Sequence, residues 1–373
     1  MSSNLIFSFI SNSFKNVYIN HNDKLIITTP SESFANSLCI NENHYGKFEN
    51  YFKNFIHLFK NGYKFIINDT SEIFDVYYEI CGEVGKGLPV SDEDNPLMFF
   101  TKFIQDYQIP NNSFEWWVEN LDYMNTCPES FRYLFKYKCT SPVKYTFSLL
   151  DSCNNRKIDK KFLNLSGNIK NNSHRYSLFI YLKSHNILKD SYYSFNSIKN
   201  TECDSIHTLE NLEDFNQTQI NLENSFKLSG VDSNIVESCF CNIVSDVWLN
   251  KNIRSWPRFI YPDIFRSINS YQPFLFLSIN HSNYLDKLQE LGFKTFSDFW
   301  DEGYDKHEYA IDRVSHLIQV IEYINSKTYN EIEQMYFDML PILKHNYELS
   351  KSMSNEIKQI YLNSNLINIT LNK

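Results

Sequence analysis

Three clusters of polar residues in this sequence are suited to chemistry. The first is Lys161–Arg175, KFLNLSGNIKNNSHR, which reads as a strand carrying Asn164, a polar loop around Gly167, and a helix opening at His174 and Arg175. A helix start exposes backbone N–H groups with partial positive charge, and an arginine beside them adds a fork of donors, so the segment suits a phosphate. The alternative is a solvated arginine on an ordinary loop. The second cluster is Ile253–Ser267, IRSWPRFIYPDIFRS, where Arg254, Arg258 and Arg266 crowd between two apolar runs. In a doubly wound sheet ligands gather at the carboxyl ends of strands, so this basic connection either meets a phosphate or faces solvent. The third is Gly292–Asp305, GFKTFSDFWDEGYD, with Asp298, Asp301, Glu302 and Asp305 set between aromatics. Carboxylates at such spacings can hold a divalent cation, but the interleaved rings favour a structural loop buried on a sheet. A general base has three candidates, Asp69, Glu72 and Asp75, all following an apolar run; Glu72 is our choice. The competing reading is an acid at a helix N-terminus, paired with the dipole.

The elements that must position these groups alternate. Lys24–Thr29 and Tyr63–Ile67 read as strands, and Tyr45–Lys60 between them carries Phe48, Tyr51, Phe52, Phe55 and Phe59 at helical spacing. Strands alternating with helices predict a parallel sheet. Gly82–Asn95 reads as a surface loop. A second unit of the same kind starts near Lys161, with Phe162–Leu165 as strand, Ser166–Ser173 as loop and His174–His185 as helix. In that helix Tyr176, Phe179, Ile180 and Leu182 recur at helical intervals. Residues 199–222 read as an exposed insertion. Phe240–Val247 and Phe274–Ile279 have the length of central strands buried on both faces. After the second, Ser282 can cap a helix whose inner stripe is Leu285, Leu288 and Leu291, stopped at Gly292. The tail is helical: Val314, Leu317, Ile318 and Ile321 share a face, and Thr328 with Glu331 makes a capping box for a further helix that Pro341 should kink or restart.

The chain has 373 residues, 42% of them hydrophobic, enough for two cores. Its net charge of −9 argues against a general nucleic-acid binder, which needs a basic face. No apolar run has the length of a membrane span. Leu5–Ile10 lacks a basic n-region and reads as a first strand rather than a signal peptide. Its eight cysteines include no CxxC pair, which suits reduced thiols and a cytoplasmic compartment.

Pro273-Phe274, a leucine-rich helix, Gly-Phe-Lys-Thr-Phe at 292–296, Trp-Asp-Glu-Gly-Tyr-Asp at 300–305 and the pair His345-Asn346 together carry a resemblance. From about Phe162 to Asp305 the sequence resembles the C-terminal domain of α-1,3-fucosyltransferase-like GT-B enzymes, and more closely a group of predicted glycosyltransferases common in viruses and marine bacteria. The resemblance puts Arg175 in the place of the arginine that binds the donor pyrophosphate, and Asp246 at the acidic end of a following strand. It also shows a departure. Tyr261-Pro262-Asp263 stands where relatives carry Thr-Glu-Lys, whose Glu holds the ribose and whose Lys holds the phosphates. Either Arg258 and Arg266 take over the phosphate charge, or donor binding is weakened or lost.

The resemblance implies an α/β fold with two Rossmann-like domains of GT-B type and a helical C-terminal tail. Residues 1–150 would form the acceptor-side domain, 161–327 the nucleotide-sugar domain, and 328–373 helices bracing the first. It implies a glycosyltransferase that moves a sugar from a nucleotide-diphosphate donor to a glycan or other acceptor, with no metal and no cofactor beyond the co-substrate. The donor site would comprise Asn164, His174, Arg175, Asp246, Arg258, Tyr261, Asp263 and Arg266, with Glu72 as base. If the chain is viral, its compartment is the host cytoplasm. The altered motif supports a rival, a non-catalytic binding or structural protein on a degenerate transferase fold. A transferase acting on nucleic-acid bases is a third reading, and the acidic balance counts against it.

Overall fold

The computed structural model describes residues 14–30, 44–69, 96–118, 135–137, 156–168, 173–196, 233–245, 262–278, 282–362 and 365–367. The chain divides into two compact units: Met1–Thr140 with Pro257–Phe259 and Ser354–Lys373, and Ser141–Trp256 with Ile260–Met353. The expected surface loop at 82–95 and insertion at 199–222 lie outside the described residues.

In unit 1, β1 (Phe14–Asn20) and β2 (Leu25–Pro30) form an antiparallel pair. There follow α1 (His44–Phe52), a 3-10 turn at Lys53–Phe55, α2 (Ile56–Lys60), β3 (Lys64–Asp69), α3 (Pro96–Tyr107), β4 (Phe114–Val118) and β5 (Phe135–Tyr137). The sheet order is β10-β1-β2-β3-β4-β5, where β10 is Asn365–Ile367. Strands β2 to β5 are parallel neighbours, and β1 is antiparallel to both β2 and β10. The helix expected over 45–60 is broken by its 3-10 turn. In such a turn residues three apart eclipse one another, which keeps Phe52 and Phe55 on one side before Phe59 resumes the stripe. All three are buried with Phe48, while Tyr51 is only half-buried. The Phe114 ring is the hub of this core, with ring centroids of Phe52 and Phe59 at 5.0 Å and Phe100 at 5.1 Å. Tyr45 donates to Asp106 and Tyr107 to Glu49, so two hydroxyl–carboxylate bonds clasp α1 to α3.

Unit 2 contains β6 (Lys160–Asn168), α4 (Ser173–Ser184), β7 (Ser191–Asn196), α5 (Ser233–Glu237), β8 (Cys239–Ser245), α6 (Pro262–Asn269), β9 (Phe274–Leu277), α7 (Tyr284–Glu290) and α8 (Ala310–Ser326). The last helix, α9 (Tyr329–Leu362), begins here, and its residues from Ser354 onward belong to unit 1. The four strands are all parallel, in the order β7-β6-β8-β9. Strands β8 and β9 are buried along their whole length, and the one amide in β8, Asn242, donates to Ser267 Oγ at 2.8 Å. Two α/β units with parallel sheets and long C-terminal helices thus match the expected fold class.

Several local expectations need correction. Strand β6 continues to Asn168, so Gly167 lies at a shift of register against β7 rather than in a loop. Ile180 faces solvent at 42% exposure, while Phe179 and Leu182 are buried. Ser282 does not cap α7; the carboxylate of Asp305 accepts from Leu285 N at 2.7 Å instead. Helix α9 runs through Pro341 without restarting, held on either side by buried Met339 and Leu343. The capping box stands as read: Thr328 N donates to Glu331 Oε2 at 2.8 Å, and Glu331 N to Thr328 Oγ1 at 3.3 Å. No described helix is long and apolar enough to cross a membrane.

Arg156 locks the amino end of the unit-2 sheet. Its guanidinium donates to the carbonyls of Val236, Glu237, Cys239, Ser270 and Tyr271, and lies over the Tyr336 ring at 5.2 Å. Gln272 Nε2 backs it at Val236 and Cys239 only. Replacing Arg156 by Leu removes five hydrogen bonds that Gln272 and the Tyr336 hydroxyl, which donates to Tyr271 O at 3.1 Å, cover only in part, and should lower unfolding free energy by about 3 kcal/mol or more. Urea denaturation reads this directly, and a loss below about 1 kcal/mol would show that water takes over the arginine's bonds.

Candidate functional site

The strand order of unit 2 points to one place. From β6 the chain passes to β7 on one side, then returns to β8 and β9 on the other. Such a reversal opens a crevice outside the carboxyl ends of the two diverging strands, where doubly wound sheets take ligands. Among the described residues of unit 1, β2 to β5 follow one another across the sheet without reversal.

Arg175 spans that crevice. It sits in the first turn of α4, the helix that follows β6, and is 4% exposed. Its Nη2 donates to the carbonyl of Ser245, the last residue of β8, at 2.5 Å. The arginine therefore joins the helix after one diverging strand to the end of the other. Asn164 is buried within β6. Helix α6 starts at Pro262, a position where the missing N–H costs the helix no internal bond but leaves one donor fewer at its start. Asp263 lies in that first turn, and Arg266, half-buried, in the last. His174 is in the first turn of α4. Glu72, Asp246, Arg258 and Tyr261 fall outside the described residues. Arg175 is thus an expected donor-site residue that a described contact ties to the crevice.

The Gly292–Asp305 segment is resolved as architecture. Phe293, Phe296, Trp300 and Tyr304 are buried, and Phe299 is half-buried. Its acids face donors rather than one another: Glu302 Oε1 accepts from Phe296 N at 2.7 Å, and Asp301 Oδ1 from Gly303 N at 2.7 Å. Among the described residues no group of three or more His, Cys, Asp or Glu is placed to hold a metal. The pair His345-Asn346 clamps the segment's start. His345 Nε2 donates to Gly292 O at 2.8 Å, while Asn346 accepts from Lys294 N at 2.7 Å and donates to Lys294 O at 2.8 Å.

Two residues that sequence reasoning missed complete the carboxyl edge. Arg313, 2% exposed, donates to Ser278 O just beyond β9 at 2.7 Å and to the carbonyls of His307 and Glu308. Leu277 pairs in register with Ser245, so Arg175 and Arg313 hold the ends of adjacent strands. His316, one turn after Arg313, donates through Nε2 to Asp301 at 3.0 Å and meets His307 Nε2 through Nδ1 at 3.0 Å. Neither histidine has a sequence signal, because the partners come from separate segments.

No family model matches the chain, and no curated protein matches it. Among solved structures it is similar to the glycotransferase of kitacinnamycin (10% identity, 83% of this chain and 74% of that one, TM-score 0.35). It is also similar to CalG4, the calicheamicin glycosyltransferase (8% identity, 85% and 71% covered, TM-score 0.34). A third is the spinosyn forosaminyltransferase SpnP (10% identity, 82% and 71% covered, TM-score 0.34). At such values the architecture is read from the strands themselves.

The acids of this edge differ in how tightly they hold a proton. Burial pushes the Asp305 carboxyl from 3.8 up to about 6, against the pull of the Leu285 N–H, and its Oδ1 has no hydrogen-bond partner among the described residues. Asp301 is held below its ordinary value, first by the Gly303 N–H. Because Asp305 binds its proton more tightly when folded, its contribution to stability is fully present below 3.8 and is lost as pH rises through about 6. Asp305→Asn keeps an acceptor for Leu285 N and carries no charge. Its stability relative to wild type should therefore improve between pH 4 and pH 7 by roughly 1–3 kcal/mol. Urea titrations at both pH values test this; an identical difference at each would mean that Asp305 keeps an ordinary pKa.

Proposed function

We propose that the chain transfers a sugar from a nucleotide-diphosphate donor to an acceptor hydroxyl, with the diphosphate bound at the carboxyl edge of the unit-2 sheet. The observation that carries this reading is the strand reversal between β6 and β8, bridged by a buried arginine at the start of α4. A departing diphosphate needs fixed positive partners in a partly dry site. The start of α4, Arg175 and the basic approach of Arg258 and Arg266 would supply them without a metal. Asp263, at the position of the relatives' lysine, then either turns from the phosphates or takes a ribose hydroxyl. The sequence resemblance to fucosyltransferase-like enzymes supports the same reading. Pro262 at the first position of α6 favours the rival, a binding protein on a degenerate transferase fold, since it deletes one N–H donor there.

A thermal-shift panel of UDP-, GDP-, dTDP- and CMP-sugars separates the two, because a ligand of the native state raises its melting temperature. For the donor that binds, Arg175→Ala should lose roughly 1.5–3 kcal/mol, a ten- to hundredfold weakening by calorimetry. Arg175→Lys can still reach the Ser245 carbonyl but lacks the planar fork, so its affinity should fall while its unfolding midpoint stays closer to wild type. Equal donor affinity in wild type and both variants would place the diphosphate elsewhere, and a wild type that binds no donor would favour the non-catalytic reading.

A further inference from the structure

His307 lies at the same edge of unit 2 as the proposed donor site, because its carbonyl shares the Arg313 guanidinium with Ser278, just beyond β9. Its ring belongs to a chain of hydrogen bonds that ends on a carboxylate. Asp301 can only accept, so the His316 nitrogen facing it, Nε2 at 3.0 Å, must carry the proton. With a neutral ring, His316 Nδ1 is then a lone pair, and the His307 Nε2 that meets it at 3.0 Å must donate. One fixed acceptor thereby sets both tautomers and leaves the lone pair of His307 on Nδ1, an atom with no hydrogen bond among the described residues. Gly303 makes room for the arrangement. A Cβ there would stand 2.9 Å from Asp301 Oδ1 and 3.2 Å from the His316 ring, while the Gly303 N–H holds the same carboxylate in place.

We propose that His307 is the proton acceptor of the transfer reaction, with His316 and Asp301 as positioning residues behind it. This rests on the transferase reading, and it assigns the base to His307 rather than to Glu72, whose warrant is only its place after a strand. In the step, the acceptor O–H passes its proton to His307 Nδ1 while the oxygen bonds to the anomeric carbon. The bond from that carbon to the diphosphate oxygen breaks, and the electron pair leaves with the nucleotide diphosphate. His307, once protonated on both nitrogens, can share its positive charge through His316 with Asp301, which lies in the same line. With water in place of the acceptor, the same step is donor hydrolysis, so an unknown acceptor does not prevent the test.

The experiment uses the full chain and the donor found in the thermal-shift panel. Donor affinity is measured by calorimetry, nucleotide release in water by rate, and ring protonation by nitrogen NMR of labelled histidines. His307→Gln should keep donor affinity within about twofold and slow release by about a hundredfold. Asp301→Asn should slow release about tenfold at unchanged affinity, and His307 and His316 should both show protonated Nε2 in wild type but mixed tautomers in this variant. Gly303→Ala, whose Cβ crowds both the Asp301 carboxylate and the His316 ring and so breaks the contact between them, should reproduce the Asp301→Asn spectrum. Release by His307→Gln within about threefold of wild type overturns the proposal, as does a loss of affinity equal to the loss of rate. So does a His307 protonated on Nδ1 in wild type. If no donor binds, the transferase reading falls and with it the assignment of the base, whereas the ring spectra still report whether the relay exists.

Discussion

Parallel strands end in carbonyls that have no neighbour beyond them, and in unit 2 guanidinium groups, half-buried at the amino end and buried at the carboxyl end, answer this. Arg156 gathers carbonyls at the amino end of β8, and Arg175 and Arg313 take those at or just beyond the carboxyl ends of β8 and β9. A guanidinium cannot lose its proton inside a protein, so each site is charged at every pH at which the fold exists. The sheet is held between fixed positive charges, and the diphosphate proposed for its carboxyl edge would meet Arg175 there. That joins the architecture to the proposed chemistry more closely than a binding loop added to a finished scaffold would.

Much of the frame was legible because it is local. The phenylalanines of 48–59, the runs that became β8 and β9, and the Thr328–Glu331 box all announce themselves within a few residues. What escaped was non-local. Arg156 reaches carbonyls some eighty to a hundred and fifteen positions away, and nothing around it in the sequence distinguishes it from a solvated arginine. The same holds for Arg313 and for the cap of α7, which comes from Asp305 instead of adjacent Ser282 because Asn283 takes a left-handed conformation. Strand β7, SYYSFN, lies at a sheet edge, and its serines blur the alternation that marks a half-buried strand.

The pattern that carried the resemblance turns out to be scaffold. Gly292 takes a φ of +91°, the left-handed region that glycine enters without strain, so that α7 can stop and Phe293 can turn inward. His345 and Asn346 then fasten that turn by its own backbone from a helix some fifty residues later. The same segment nevertheless delivers Asp301 and Gly303 to the histidine pair, so a stretch that is structural in its rings also orders that pair through its polar atoms.

The pairing of β1 with β10 has a consequence for biosynthesis. Val17 meets Ile367 and Tyr18 meets Leu366, so the edge of the first sheet is closed by a strand made about 350 residues later. At ribosomal speeds of about 5–20 residues per second, β1 waits roughly 20–70 s for its partner. During that interval its outer N–H and C=O groups form a bare template to which other nascent chains can add. Unit 2 can complete its parallel sheet while the ribosome is still at work, whereas unit 1 becomes whole only after residues 365–367 emerge. Chaperone demand in the cell should therefore fall on the segment made first.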